Sequence, residues 1–313
     1  MVKRFGASDC RRASHLIYFG RRKHDMTFRE KLESGQFVYT AEVNPPKGTN
    51  IGKVLDDAEQ YLKGIVDAVN ATDCAGANVR AGSLVTCHLL KQRGMEPILQ
   101  VSCRDRNRIA LQSDLLSAGI LGIRNVLVVT GDHPHLGDHP QAKPVFDLDS
   151  VTMLEAVAHM HKGKDMNGNP LDGAPHFFMG AVVTPSHPIP ELQIMKMEKK
   201  VAAGARFFQT QAVFDVERFA AFTEQVKHLR VPILAGVILL KSERMAKFMM
   251  ENVSGIVIPP SIIERLRRAE DKAAESIALT AELVRGLKPY CQGIHFMTLG
   301  WERHIRAVLE RVV

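Results

Sequence analysis

From residue 36 onward, short β-branched and aromatic runs alternate with longer segments whose apolar residues recur every three or four positions. The runs at 37–43, 68–72, 97–102, 125–130, 177–183, 207–212, 232–238 and 294–299 read as eight strands. Between them, Ile51, Val54, Leu55, Ala58, Leu62 and Ile65 share one helix face, and Val216, Phe219, Ala220, Thr223 and Val226 share another. Gly64, Gly94, Gly119, Gly163 and Gly204 fall at or near the ends of helical runs, where a left-handed residue closes the last turn. Strands such as "VPILAGVILL" and "IRNVLVVTG" are apolar throughout, as parallel strands covered on both faces should be. Eight strand–helix units with no break in composition predict an α/β fold, a single-domain (β/α)8 TIM barrel, with a helical excursion at about 261–286 before the last strand. An open parallel sheet is the alternative.

Such barrels build their chemistry at the C-terminal ends of the strands. The sequence puts Glu42, Thr72, Asp73 and Gln211 there, with the polar stretches 103–107, 130–133 and 184–187. Glu42 lies near the end of the apolar run in "FVYTAEVNPPKG". A strand-end carboxylate often only pairs with a neighbouring cation or accepts backbone amides. Apolar neighbours and two rigid prolines instead partly desolvate this carboxyl and favour its proton-carrying form. Gln211, among aromatics in "FFQTQAVFD", is either a satisfied core amide or a group that reads the edge of a flat heterocycle. Asp132 directly follows a buried strand and a glycine, which favours a site role over a turn cap. The loop "VTGDHPHLGDHP" adds His133, His135, Asp138 and His139, but their spacing matches no zinc site and their composition suits a surface loop; no metal is assigned.

Composition narrows the classes further. A chain of 313 residues, 45% hydrophobic and 24% charged, has ample core, and no apolar run approaches the roughly 18 residues that span a bilayer. The net charge of +7 is concentrated: residues 1–25 carry seven Lys/Arg against Asp9 and Asp25, leaving the rest near +2. That is a tail rather than a nucleic-acid groove, so neither nucleic acid nor membrane is an expected partner. It sets a basic N-terminal extension, 1–26, apart from a barrel domain at 27–313. A transit peptide and a true start at Met26 fit the tail equally well. Five dispersed cysteines without a C-x-x-C pair suggest a reduced, cytoplasmic protein lacking a structural zinc. Walker A, GxGxxG and GxSxG motifs do not occur, so any nucleotide cofactor is held by barrel loops and helix N-termini.

In this order and at these spacings, "AEVNPPKG", "VSCRDRNR", "VTGDHP" and "AAGARFFQTQAVFD" resemble the methylenetetrahydrofolate reductase family across about residues 27–310. The resemblance implies a flavin-binding (β/α)8 barrel, with FAD or alternatively FMN. Reduced flavin would pass a hydride to 5,10-methylenetetrahydrofolate, giving 5-methyltetrahydrofolate, once the five-membered ring has opened to a 5-iminium cation. It further implies Glu42 as general acid for N10, Asp132 beside the flavin and the pterin favouring the cation, and Gln211 hydrogen-bonding the pterin. Thr72, Gln100, Thr130, Gly131, Asp132, His187, Lys196 and Lys200 match flavin-contacting positions, and the two lysines, one turn apart, suit a pyrophosphate or phosphate. The loop "VFDLDS" would close the adenosine or ribitol side. This chain departs from the family pattern at Gln100 (a histidine there), Thr130 (an arginine) and Gly300–Trp301 (an asparagine–arginine pair). These departures leave the electron donor open between NADH, NADPH and an iron–sulfur partner subunit, with an oligomer or complex expected. A flavin-free pterin-binding methyltransferase barrel and a non-catalytic scaffold subunit that docks a redox partner are the competing readings.

Overall fold

The computed structural model describes residues 26–253 and 255–312, so the basic extension, but for Met26, lies outside the described residues. Eight parallel strands close into a barrel in chain order: β1 (Val38–Val43), β2 (Ala68–Ala71), β3 (Pro97–Ser102), β4 (Asn125–Val129), β5 (Phe178–Val183), β6 (Phe207–Ala212), β7 (Ile233–Ile238) and β8 (Gly293–Met297). Closure comes from β8 pairing with β1, with Thr40 opposite His295 and Glu42 opposite Met297. The shell contains α1 (Phe28–Glu33), α2 (Gly52–Tyr61), α3 (Ser83–Gln92), α4 (Arg108–Ile120), α5 (Ser150–His161), α6 (Pro190–Ala202), α7 (Val216–Val226), α8 (Glu243–Asn252), α9 (Pro260–Arg268), α10 (Lys272–Leu287) and α11 (Ile305–Glu310).

Strand alternation sorts the interior into tiers. The floor is apolar: Val38, Ala68, Ile98, Leu127, Phe178, Phe207 and Leu234 meet there, one from each of seven strands. Phe28 and Leu32 of α1 plug this end from below, and the Phe28 ring packs edge-on against Phe207 at 5.3 Å. Complete burial of Phe28 contributes about 2–3 kcal/mol. Gly180 leaves space for the Phe207 ring, since a Cβ there would stand 2.2 Å from it. One step up, the inward positions turn polar, with Thr40, Asn70, Gln209 and His295 all buried. A further step on β1 reaches Glu42 at the mouth, while on β3 Gln100 is the first inward position after the floor residue Ile98.

Strand bounds agree with the sequence to within a residue or two, and the misses have local causes. The last strand stops at Met297 because Leu299 and Gly300 adopt positive φ, 49° and 81°, turning the chain. Gly119 does not close its helix: it lies inside α4 against Pro175, and Gly122, at φ 67°, makes the left-handed turn. The excursion before β8 is two helices, α9 and α10. The short α1 was not anticipated, although its capping box, Thr27 with Glu30, is visible as "TFRE". Among the described residues no helix is long and apolar enough to cross a membrane.

Candidate active site

Glu42 ends the inward series Val38, Thr40, Glu42, and its side chain is only 14% exposed. Its Oε2 lies 3.6 Å from His295 Nε2 on the neighbouring β8. The Thr298 hydroxyl bonds the Glu42 carbonyl at 3.0 Å and the Glu302 carboxylate at 2.7 Å, so the exits of β1 and β8 are tied together. Thr72, just past β2, is buried and donates its hydroxyl to Asn44 Oδ1 at 3.0 Å, bracing the chain before the two prolines. Gln100 is half-buried on β3.

The loops after β2, β3 and β4 are bound to one another by arginines. Asp73 accepts the Ser102 N–H at 2.8 Å and pairs with Arg106, whose other nitrogen holds Asp114 at 2.6 Å. Burial pushes the Asp73 carboxyl above the ordinary aspartate range even with Arg106 beside it. Arg104 is 2% exposed and donates to the carbonyls of Cys74 at 3.2 Å and Asp132 at 3.3 Å. At Gly131, φ is 91° and a Cβ would meet Ser102 Oγ at 2.3 Å, so only glycine lets the loop after β4 fold this closely onto β3. This turn presents Thr130 and Asp132 at the surface, with Asp132 Oδ2 accepting the Gly76 N–H at 3.2 Å. In the histidine-rich loop, Asp138 pairs with Lys47 and with His139 and accepts the Val79 N–H, acting as a strut.

On the far side, the pairing of β6 with β7 slips between Gln209 and Ala212, and this irregularity re-aims Gln211. Gln211 is half-buried, its Oε1 held by the Ala212 N–H at 2.9 Å. His187 turns its Nδ1 to the Ile189 N–H at 3.0 Å, within its own loop. The two lysines of α6 differ: Lys196 is exposed, whereas Lys200 is 8% exposed and donates to the Val182 carbonyl at 2.7 Å. Burial, helped by the charge of Lys196, pushes Lys200 down to about 8. At the β7–β8 corner, Lys241 bonds the Leu299 carbonyl at 2.5 Å and lies 5.5 Å from the centre of the Trp301 ring. Arg303 is exposed and bonds His304 at 3.1 Å.

The barrel thus gathers Glu42, Thr72, Gln100, Thr130, Gly131, Asp132, His187 and Gln211 at one end, on six different strands or the turns that follow them, while Lys196 and Lys200 approach from outside through α6. Sequence reasoning passed over the polar tier below Glu42, although its signal was there: "VYTAEV", "AVNAT", "FFQTQ" and "GIHFM" each carry a polar residue at the inward middle position. It also passed over the Asp73–Arg106 pair. Three cysteines are packing groups, and burial pushes the thiols of Cys103 and Cys291 up to about 12 and about 11.

A family model described as methylenetetrahydrofolate reductase matches residues 27–313. Methylenetetrahydrofolate reductase 2 of Schizosaccharomyces pombe is 24% identical over 310 residues, covering 90% of this chain and 46% of that protein. Methylenetetrahydrofolate reductase 2 of Saccharomyces cerevisiae is 26% identical over 317 residues, covering 92% and 50%. The chain therefore spans about half the length of these curated relatives. Among solved structures, a Clostridium thermocellum protein described as binding two copies of 5-methyl-5,6,7,8-tetrahydrofolic acid superposes with a TM-score of 0.61 at 16% identity, covering 90% of this chain and 98% of that one. At that identity the likeness is one of fold.

Proposed function

This chain belongs to the methylenetetrahydrofolate reductase family, and from that premise we propose that it reduces 5,10-methylenetetrahydrofolate to 5-methyltetrahydrofolate at the C-terminal mouth of its barrel, using a bound flavin. The observation that carries this is Glu42: a carboxyl 14% exposed, at the end of β1, in a barrel the family model matches from 27 to 313.

The residues at the mouth fit a flavin. Val129 and Val182 are half-buried above the apolar floor and offer a bed for a flat ring system. Gln100 and Thr130 supply polar contacts beside it, the close turn at Gly131 lets backbone approach, and exposed Lys196 supplies the positive charge a phosphate needs, with Lys200 buried one turn behind it. His187 and Thr72 follow β5 and β2 at the same end of the barrel. The flavin proposed is FAD, with FMN the alternative, and when bound it supplies the hydride. The chain's own side chains do the rest. Glu42 delivers a proton to N10 as the ring opens, the fixed negative charge of Asp132 favours the cation that results, and Gln211 offers its amide to the pterin. NADH, NADPH or an iron–sulfur partner subunit would provide the electrons; comparing the three as reductants of the bound flavin identifies the donor.

Purified protein should be yellow, or become so on adding FAD or FMN, and anaerobic 5-methyltetrahydrofolate should bleach the flavin absorbance. A colourless protein that takes up neither flavin defeats the proposal.

Lys200 adds a pH dependence. Its ammonium is held down to about 8, so in the flavin-free protein it loses its charge as pH rises through that value. Fold stability rises with pH over this range, since a depressed lysine penalises folding below about 8 and the penalty fades towards the unfolded value of 10.5. Urea unfolding at pH 7 and pH 9 checks this, and Lys200→Met should flatten the dependence.

A further inference from the structure

Strand β6 carries one residue more than its partner as it reaches the mouth. Gln209 lies opposite Leu234 and Ala212 opposite Gly236, so Thr210 and Gln211 together face Ala235 alone. Such a bulge disrupts the ladder and leaves backbone groups to be paired by other means. Here the Thr210 hydroxyl does so, accepting the Gly236 N–H at 2.9 Å and donating to the Gln211 backbone carbonyl at 2.7 Å. Thr210 is 2% exposed, so both bonds are shielded from water. Below the bulge, Gln209 Oε1 accepts from Asn70 Nδ2 at 2.8 Å and Gln209 Nε2 donates to Asn70 Oδ1 at 3.2 Å, anchoring β6 across the barrel to β2. Above it, the Val213 N–H rejoins the ladder on the Gly236 carbonyl at 2.9 Å. Gly236 permits the close approach, since a Cβ there would stand 2.3 Å from the Thr210 carbonyl oxygen and 2.8 Å from the Met297 side chain. The Gln211 side chain is oriented by the same turn of chain: its Oε1 takes the Ala212 N–H at 2.9 Å, and its Nε2 has no partner among the described residues.

We propose that Thr210 is a positioning residue: its hydroxyl, held between the Gly236 N–H and the Gln211 carbonyl, locks the bulge in β6 and so sets where the Gln211 amide meets the folate. This rests on Gln211 contacting the substrate. The side chain at 210 must accept and donate at a single short-range atom, which a hydroxyl does. Valine has the same shape and does neither. In its place the Gly236 N–H and the Gln211 carbonyl lose a buried partner, and β6 recovers bonds by relaxing towards regular pairing. Successive side chains of a strand point to opposite faces, so a change of register around Gln211 turns its amide away from its present direction. The residues proposed for the flavin lie on or after β2, β3, β4 and β5 and on α6, and Glu42 lies on β1. The clasp on β6 and β7 therefore acts on the folate side of the site and spares the flavin.

Calorimetric titration with methylenetetrahydrofolate, the flavin kept oxidised, reads the contact without turnover. Thr210→Val should weaken folate binding about tenfold, with flavin affinity and dithionite reduction unchanged. Thr210→Ser, which keeps the hydroxyl, should bind within about twofold of wild type. In a Gln211→Ala background, Thr210→Val should add no further loss, because the group it positions is gone. Unchanged affinity in Thr210→Val overturns the proposal, as does a loss that serine does not rescue or that persists undiminished in Gln211→Ala. Equal weakening of flavin and folate also overturns it, marking Thr210 as packing. Thr210→Ala takes the place of the valine variant if that one does not fold. Hydrogen exchange of the wild-type protein needs no variant: the Gly236 N–H should exchange as slowly as the other ladder amides of β7, and rapid exchange overturns the clasp. A Gln211→Ala protein that binds folate as tightly as wild type defeats the reading of Gln211 and the proposal with it. Wild-type protein that does not bind folate at all would instead defeat the proposed function, and hydrogen exchange would still decide the clasp.

Discussion

Glu42→Gln is expected to bind flavin normally and to accept electrons from an artificial donor at the wild-type rate, yet to reduce folate about 10²- to 10⁴-fold more slowly. That range corresponds to roughly 3–5 kcal/mol of barrier. Glutamine matches glutamate in shape, so the variant tests chemistry rather than folding. The contacts that seat this residue are made by its backbone: the ladder to β2 and β8, and the Thr298 hydroxyl on its carbonyl. None depends on the carboxyl. An amide still offers a donor and an acceptor to His295, so the tier below keeps a partner, but it has no acidic proton for N10. Stopped-flow absorbance of the pre-reduced flavin, mixed with methylenetetrahydrofolate, reads the step directly. Folate turnover at the wild-type rate would remove Glu42 from the role.

Why Glu42 could be found in the sequence, and its neighbours could not, is a matter of how far each signal reaches. The eight strands were legible because parallel strands covered on both faces are apolar along their length, and the chain spaces them with helical periods. Barrel order then carried every strand-end residue to one rim, so Glu42, Asp132 and Gln211 could be grouped without knowing any distance. Contacts between strands could not be read this way. Whether Gln209 faces Asn70 depends on the register across five strands and on which face each side chain takes. The irregularity that re-aims Gln211 leaves no mark in "FFQTQ". Lys200 shows the opposite limit: its spacing from Lys196 suggested two equivalent cations, but an α6 residue that faces β5 is buried by the sheet, and only one of the two is open to solvent. Likewise, Gly119 was assigned as a helix terminator from its position, whereas the close approach of Pro175 is what requires it.

The pairing of Asp73 with Arg106 carries the second large prediction, because it holds the rim on which the polar loops are mounted. Arg106→Met should cost roughly 3 kcal/mol at neutral pH, as expected when one partner of a largely buried pair is removed, with the figure kept at the lower end because Arg106 is 26% exposed. The Asp73 side chain is only 8% exposed, so without the guanidinium its charge has the Ser102 N–H and little else to offset burial. Its carboxyl is already above the ordinary aspartate value with Arg106 present, and losing Arg106 raises it further. The sign follows: a carboxyl that holds its proton more tightly folded than unfolded favours folding at pH below its unfolded value, and that contribution is lost as pH rises through the folded value. Acidification should therefore shrink the gap between variant and wild type, as Asp73 takes up a proton and no longer buries a charge. Adding Asp73→Asn to the variant should recover most of the loss at neutral pH, since a neutral amide still accepts from Ser102. Urea unfolding of the four proteins at pH 7 and pH 5 measures all of this. A deficit that is the same at both pH values, or that the second substitution does not relieve, would mean that Arg106 acts through Asp114 or through packing, and that the rim is not braced by the buried charge pair.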